Sequence, residues 1–458
     1  MAPTGRVGTG LLGTFGLALA ALMAYTLAFE GGQGPGSGPE VVRDRDTAEV
    51  AVFFPDSRDW SHFRRAIAAC VGRGLARPVV EGDEAVVVET ARLGRRVRFS
   101  WRGIRGLGET REEVDRLASR PRPPVAIVGS STTVLTVALA EALRDAGSAG
   151  PVLLVPWATA LTVDRPGSGR GKARLLDIDR GRTFRFCPDN RQLAESVVGC
   201  LLGRDAGRPP GRVFLVVDPH DPYSVDLTDC FRHAIREKAG AVEIVDRADA
   251  VGVPTVSRPP GSVPNPSATE SSLADEVWTS AEDGPADRTT WVVLPLQGEP
   301  TRRLLAGLRR RASWHSADEG DGPLRVVCGD GIGRETLDGP TGDRPFPIWC
   351  ASTSTARAAD HGVSNDTQTL AEIVSAVLLA VERSPTAGPS AGDIRRGLMK
   401  LDLPEGDRAA FGRPLRFGAD GERLDDPGHV LAARPGSAPV EEFRLGPAGR
   451  WVADRGGP

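Results

Sequence analysis

Short apolar runs recur along the chain at 49–54, 85–88, 125–128, 152–155, 213–217, 242–245, 291–294 and 324–327. They do not alternate apolar with polar residues, which predicts strands covered on both faces, as in parallel sheets. Between many of them apolar residues return at helical spacing, over 62–74, 111–119, 133–146, 192–202, 224–239 and 301–312, with a further helix over 369–383. Such alternation predicts an α/β fold, and it supplies more units than one sheet needs, so two lobes are expected. Residues 251–289 include "VPTVSRPPGSVPNPSATESS", too poor in apolar side chains to pack, and read as a surface excursion. The end of the chain, with "GRPLRFGADGERL" and "EEFRLGPAGRWV", reads as short strands joined by turns.

The first thirty residues follow a different pattern. Leu11 to Phe29 is a run of 19 residues without a charge, preceded by Arg6 and followed by Glu30 and Glu40. At about 1.5 Å per helical residue it spans most of a bilayer core. The basic end is expected to stay in the cytoplasm, which places the rest of the chain outside. Residues 1–30 are therefore expected to be an uncleaved signal anchor, with a cleaved signal peptide as the competing reading, since Thr26 and Ala28 offer small residues before a cut. Residues 31–46, rich in Gly, Pro and charge, read as a flexible spacer.

Charge and composition narrow the function classes. With 57 basic and 60 acidic residues the net charge is −3, which gives no electrostatic case for nucleic acid. The six cysteines are scattered without a CxxC pair or a Cys/His cluster, so no structural metal and no cofactor is expected. A disulfide is compatible with an oxidising compartment, but spacing does not choose the pairing. No HExxH, GxSxG elbow or phosphate loop occurs.

Four stretches place polar residues just after a predicted strand, where open α/β sheets bind ligands. In "VAIVGSSTTVLTVALAEAL" (125–143) four hydroxyl residues, Ser130 to Thr133, open a helix. They either cap that helix or present donors to an anion at its positive end. In "PVLLVPWATALT" (151–162) a strand delivers Trp157, Ala158 and Thr159. In "RVFLVVDPHDPYSVDL" (212–227) Tyr223 sits at a strand-to-helix mouth, and Asp218, His220 and Asp221 fit turn chemistry as well as metal ligation. In "LRVVCGDGIG" (324–333) Asp330 is either a turn residue or a partner for an ammonium group.

In this order, and with "TFRFCPDNRQLAESV" and "WVVLPLQGEPTRRLLAGLR" between them, the stretches resemble the type I periplasmic binding proteins. The likeness is to the branched-chain amino acid-binding proteins of ABC transporters and their receptor relatives, the leucine-binding protein domain. It covers roughly residues 48 to 458, and "GRPLRFGADGER" is similar to the family's closing strand. It implies two Rossmann-like lobes joined by three crossovers, near Phe184–Pro188, Trp349–Ser354 and Gly406–Pro414. Lobe 1 would comprise 47–184 and 353–407, and lobe 2 would comprise 187–350 and 408–458. Carried over residue by residue, it implies that Ser131 and Thr132 face a ligand carboxylate and that Ala158 and Thr159 hold its polar end. Tyr223 would cover the ligand, Asp330 would pair with its ammonium, and Trp60 would contribute an aromatic from the first loop. Gln297 and Trp157 depart from the residues usual at their positions and reshape the pocket, Trp157 as a wall.

The resemblance implies an extracytoplasmic, non-enzymatic protein that traps a small polar solute, such as an amino acid, by hinge closure and delivers it to an ABC permease. A membrane-anchored sensory or scaffolding ectodomain with the same fold is the alternative. An α/β enzyme is a third reading, for which the sequence offers no recognisable nucleophile–base pair.

Overall fold

The apolar run at the start of the folded region becomes β1 (Ala48–Phe53), the centre of a seven-stranded sheet. The computed structural model describes residues 46–130, 132–147, 150–164, 171–205, 207–248, 268–284, 288–312, 323–330, 346–353, 365–424, 429–433, 441–445 and 451–453. Beside β1 lie β2 (Ala76–Glu81), β3 (Ala85–Thr90) and β4 (Arg96–Arg102) on one side. On the other lie β5 (Ala126–Gly129), β6 (Val152–Val155) and β9 (Thr183–Arg185), giving the order β2-β3-β4-β1-β5-β6-β9. From β4 to β9 every pairing is parallel, whereas β2-β3-β4 is an antiparallel edge. The alternating burial of β3 and the five exposed residues of β2 show why an edge tolerates this: one face needs no cover. A small hairpin, β7 (Thr162–Asp164) with β8 (Lys172–Arg174), projects between β6 and β9.

Helices cover both faces. α1 (Ser57–Gly72) begins where the Asp56 carboxylate accepts the Asp59 N–H at 3.0 Å, and it turns Trp60, Phe63, Ile67 and Cys70 into the core at helical spacing. α2 (Leu107–Ala118) and α3 (Thr133–Asp145) cover the opposite face.

The second sheet has eight strands. In chain order they are β10 (Arg212–Val216), β11 (Glu243–Arg247), β12 (Thr290–Leu294), β13 (Leu324–Cys328), β14 (Ile348–Ser352), β18 (His429–Ala433), β19 (Glu441–Leu445) and β20 (Trp451–Ala453). They are arranged β11-β10-β12-β13-β14-β18-β19-β20, parallel up to β14 and antiparallel beyond it. One face carries α4 (Asn190–Arg204) and α5 (Pro222–Ala239), and the other carries α6 (Ala268–Asp283) and α7 (Gly298–Ala312). The sheets are therefore mostly parallel, with antiparallel edges that the short apolar runs did not disclose.

The chain passes between the sheets three times. It leaves the first after Arg185 and joins the second with α4. It leaves the second after β14 and returns with α8 (Asn365–Arg383) and α9 (Ala391–Leu398), which pack on the β1 face. The third passage differs from the expected Gly406–Pro414. Ala409, Phe411, Leu415 and Phe417 bury their side chains in the first core, and a small sheet of β15 (Asp402–Leu403), β16 (Leu415–Phe417) and β17 (Arg423–Leu424) precedes the return at β18. The expected lobe boundary at 407/408 therefore moves to between Leu424 and His429. A second expectation also fails: residues 268–283 of the supposed excursion are α6, whose Leu273, Val277 and Trp278 are buried in the second core. Ser, Thr and acidic residues between those apolar positions hid the helical period. Residues 251–267 lie outside the described part.

A buried ion cluster ties the passages together. The Glu372 carboxylate on α8 accepts from Arg413 Nε at 3.0 Å, Arg413 Nη2 at 2.6 Å and Arg423 Nη1 at 2.7 Å. Arg413 also donates to the Thr353 carbonyl at 2.5 Å, and Arg423 to the Phe186 carbonyl at 2.7 Å and the Pro414 carbonyl at 2.6 Å. All three side chains are at most 1% exposed. Through its two arginines, one carboxylate thus ties the first and second passages to the segment that precedes the third.

Candidate functional site

At the carboxyl ends of the parallel strands, the second sheet contributes Tyr223 and Asp330. Tyr223 opens α5, whose first turn is fixed by Pro222 and by the Asp221 carboxylate accepting the Tyr223 N–H at 3.0 Å. Its ring is buried, and its hydroxyl donates to Asp330 Oδ1 at 2.7 Å. Asp330 follows β13, and burial pushes its carboxyl up to about 6, against the opposing pull of the Tyr223 hydrogen bond. Both residues singled out in the sequence are therefore in contact. The nearby Asp218 and Asp221 are spent on local turns: Asp218 accepts the His220 N–H at 2.9 Å, and Asp221 caps α5. Among the described residues, no group of three or more His, Cys, Asp or Glu side chains is arranged to hold a metal.

The first sheet contributes the segment after β6. Ala158 and Thr159 are each 1% exposed. The Thr159 carbonyl accepts the Asn190 N–H at 2.7 Å and Arg185 Nη1 at 3.1 Å. Its hydroxyl is buried and has no hydrogen-bond partner among the described residues. Trp157 is half-buried and tilts against Phe54 with ring centroids 5.4 Å apart.

The remaining expected positions are Thr132, Ser131 and Trp60. The Thr132 hydroxyl caps α3 by accepting the Leu135 N–H at 3.3 Å, while the Thr132 N–H donates to Ser130 Oγ at 3.2 Å. Ser131 lies outside the described residues. Trp60 does not join the group: its indole stacks on Phe63 with centroids 5.8 Å apart and donates Nε1 to the Asp83 carbonyl at 2.6 Å. It is 3% exposed in the first core, because the i, i+3 spacing of Trp60 and Phe63 puts both on the inner face of α1.

Sequence reasoning missed the residue that joins the two halves. Asp226, one turn after Tyr223 on α5, accepts the Leu161 N–H at 2.7 Å and the Thr162 N–H at 2.8 Å. It also accepts the Thr162 hydroxyl at 2.6 Å and Asn190 Nδ2 at 2.9 Å. Its i+3 spacing from Tyr223 puts both on one side of α5 but does not by itself mark a role.

No family model matches the chain, and no curated protein is detectably similar to it in sequence. Solved structures are similar in fold. An ABC transporter substrate-binding protein from Desulfitobacterium hafniense in complex with Leu aligns with a TM-score of 0.55 at 15% identity, covering 89% of this chain and 99% of its own. The branched-chain amino acid transporter substrate-binding protein LivJ from Streptococcus pneumoniae, in complex with isoleucine, aligns at 0.54 and 14% identity, covering 86% and 99%. A solute-binding protein of an ABC transporter from Rhodopseudomonas palustris BisB5, in complex with 3,4-dihydroxybenzoic acid, aligns at 0.55 and 12% identity, covering 89% and 96%. The chain has the type I periplasmic binding fold. Among the described residues no helix is long and apolar enough to cross a membrane, and the expected anchor at 11–29 lies outside them.

Proposed function

We propose that this protein is an extracytoplasmic solute-binding protein that traps a small polar solute between the carboxyl ends of its two sheets and serves ABC-type uptake. One observation carries the reading. A buried Thr159 hydroxyl without a partner belongs to the segment that Asp226 fastens to α5, the helix whose Tyr223 reaches Asp330. An unsatisfied buried hydroxyl is costly unless something pairs with it, and a solute's polar end would do so. Ser131 and Thr132 would face a carboxylate; the Thr132 oxygen accepts as a helix cap, which leaves its hydrogen free to donate. Ala158 and Thr159 would hold the polar end, Tyr223 would cover it, and Trp157 would form a wall. Asp330 would pair with an ammonium group, which requires the carboxylate to be ionised.

The neighbouring structures hold aliphatic amino acids in two cases and an aromatic acid in a third, so the screen must span both classes. Differential scanning fluorimetry of the full-length chain against amino acids, amides and hydroxybenzoates is expected to yield a solute that raises the melting temperature. That rise should vanish in Thr159→Val. A panel without any shift, or a shift indifferent to Thr159, overturns the reading. Retention by residues 11–29 belongs to the same proposal: intact-mass measurement of the exported protein is expected to show the anchor uncleaved.

A further inference from the structure

Two bodies with separate cores meet at Asp226. The acceptor sits on α5, whose Tyr223, Leu227, Phe231 and Ile235 pack in the core of the second sheet. The donors follow β6, where Ala158, Ala160, Val163 and Leu175 pack against the first sheet. The three backbone and hydroxyl hydrogens from Leu161 and Thr162 therefore cross from one core to the other, beside Asn190, the first residue of α4 after the first passage, which also donates to Asp226. Asp226 is 3% exposed, so this contact is shielded from water. A second tie lies one turn further along α5, where Lys172 Nζ on β8 meets Asp229 at 2.6 Å. An ionised carboxylate that gathers donors at such lengths makes hydrogen bonds about twice as strong as neutral ones. All of them are lost if the bodies swing apart about the buried passages.

We propose that Asp226 is a closure latch: a positioning residue that sets the balance between open and closed arrangements, and with it the apparent affinity of the site. Its purpose rests on the solute-trapping reading, but its geometry does not. If closed molecules are the binding-competent fraction, apparent affinity scales with that fraction, so weakening the latch weakens binding without touching a solute-contacting group. Tyr223 lies three residues before the latch on the same helix, which couples covering the solute to fastening the seam.

Hydrogen–deuterium exchange of the full-length chain, without added solute, tests this. In Asp226→Asn the shape is kept, but a carboxylate oxygen that accepts becomes an amide nitrogen that donates. Peptides on both sides of the seam, 158–164, 171–174 and 223–229, are expected to exchange at least tenfold faster, while 126–129 and 212–216 keep their protection. Thr162→Val, which removes one of the crossing donors and keeps the backbone N–H, should give a smaller change in the same peptides. Faster exchange confined to 161–162 would reduce Asp226 to a local turn pin and overturn the latch. Equal acceleration of seam and sheet peptides in both variants would mark a general folding role and overturn it as well. Because no solute enters the measurement, a failed solute screen leaves this result standing, and a failed latch leaves the screen standing.

Discussion

Tyr223 occupies the space that a side chain at residue 329 would need: a Cβ built on Gly329 would fall 2.2 Å from the Tyr223 hydroxyl and 2.8 Å from Leu227 Cδ2. The glycine before Asp330 thus lets the phenol reach the carboxylate over the end of β13. Gly329→Ala is expected to expel the ring, break the Tyr223–Asp330 hydrogen bond and cost about 1–3 kcal/mol through overpacking. Urea denaturation measures the cost, and a solute found by fluorimetry should no longer raise the melting temperature. Wild-type behaviour in both would mean that the ring and its contact are not needed there.

Asp330 gives stability a pH dependence of unusual sign. Burial holds its carboxyl at about 6 in the folded protein, above the ordinary 3.8. Between those values the folded chain keeps a proton that the unfolded chain has lost, so this group's contribution to stability falls as pH rises through the window and is level above it. Asp330→Asn removes the slope. The stability of wild type minus Asp330→Asn, from urea titrations, should drop by about 2 kcal/mol between about pH 4 and pH 7. A constant difference would contradict the shift.

Glu372 balances Arg413 and Arg423 with no access to water. Glu372→Gln would remove the carboxylate charge that both buried guanidinium groups share, and breaking a buried ion pair in this way costs about 3–5 kcal/mol. Chemical denaturation should show it as a large drop in midpoint. A loss below about 1 kcal/mol would mean the cluster relaxes to reach water.

Thr132 separates capping from binding. Thr132→Ala should cost about 1 kcal/mol, as loss of an N-cap does. Thr132→Asp keeps a good capping oxygen and so should hold stability, yet it adds a negative charge where a solute carboxylate is proposed. Calorimetric titration with a carboxylate solute should show binding lost in Thr132→Asp. Unchanged affinity would remove Thr132 from the site.

The sequence disclosed the strands whose residues are apolar on both faces, such as Val152–Val155 and Trp291–Leu294, because a continuous apolar run has few other uses. It did not disclose β2 or β4, whose charged residues interrupt the run at a sheet edge. Tyr223 and Asp330 were legible because both follow strands and are rare or isolated in their surroundings. Trp60 misled, since an aromatic near a loop is equally at home on the inner face of a helix. Asp226 was illegible for a different reason. Its four donors belong to Leu161, Thr162 and Asn190, 36 to 65 residues away, and no local pattern signals a carboxylate that serves backbone donors across a fold.

The ion cluster at the passages also governs when this chain can mature. The core over this face of the first sheet, begun by α1, is incomplete until α8 and α9 arrive, and Arg423 must emerge before Glu372 has both its arginines. A nascent polypeptide released in stages therefore has no finished half to fold early. The first core is complete only once residues 370–417 have been made. That delay fits the export proposed above, in which the chain would pass a translocation pore as an extended strand.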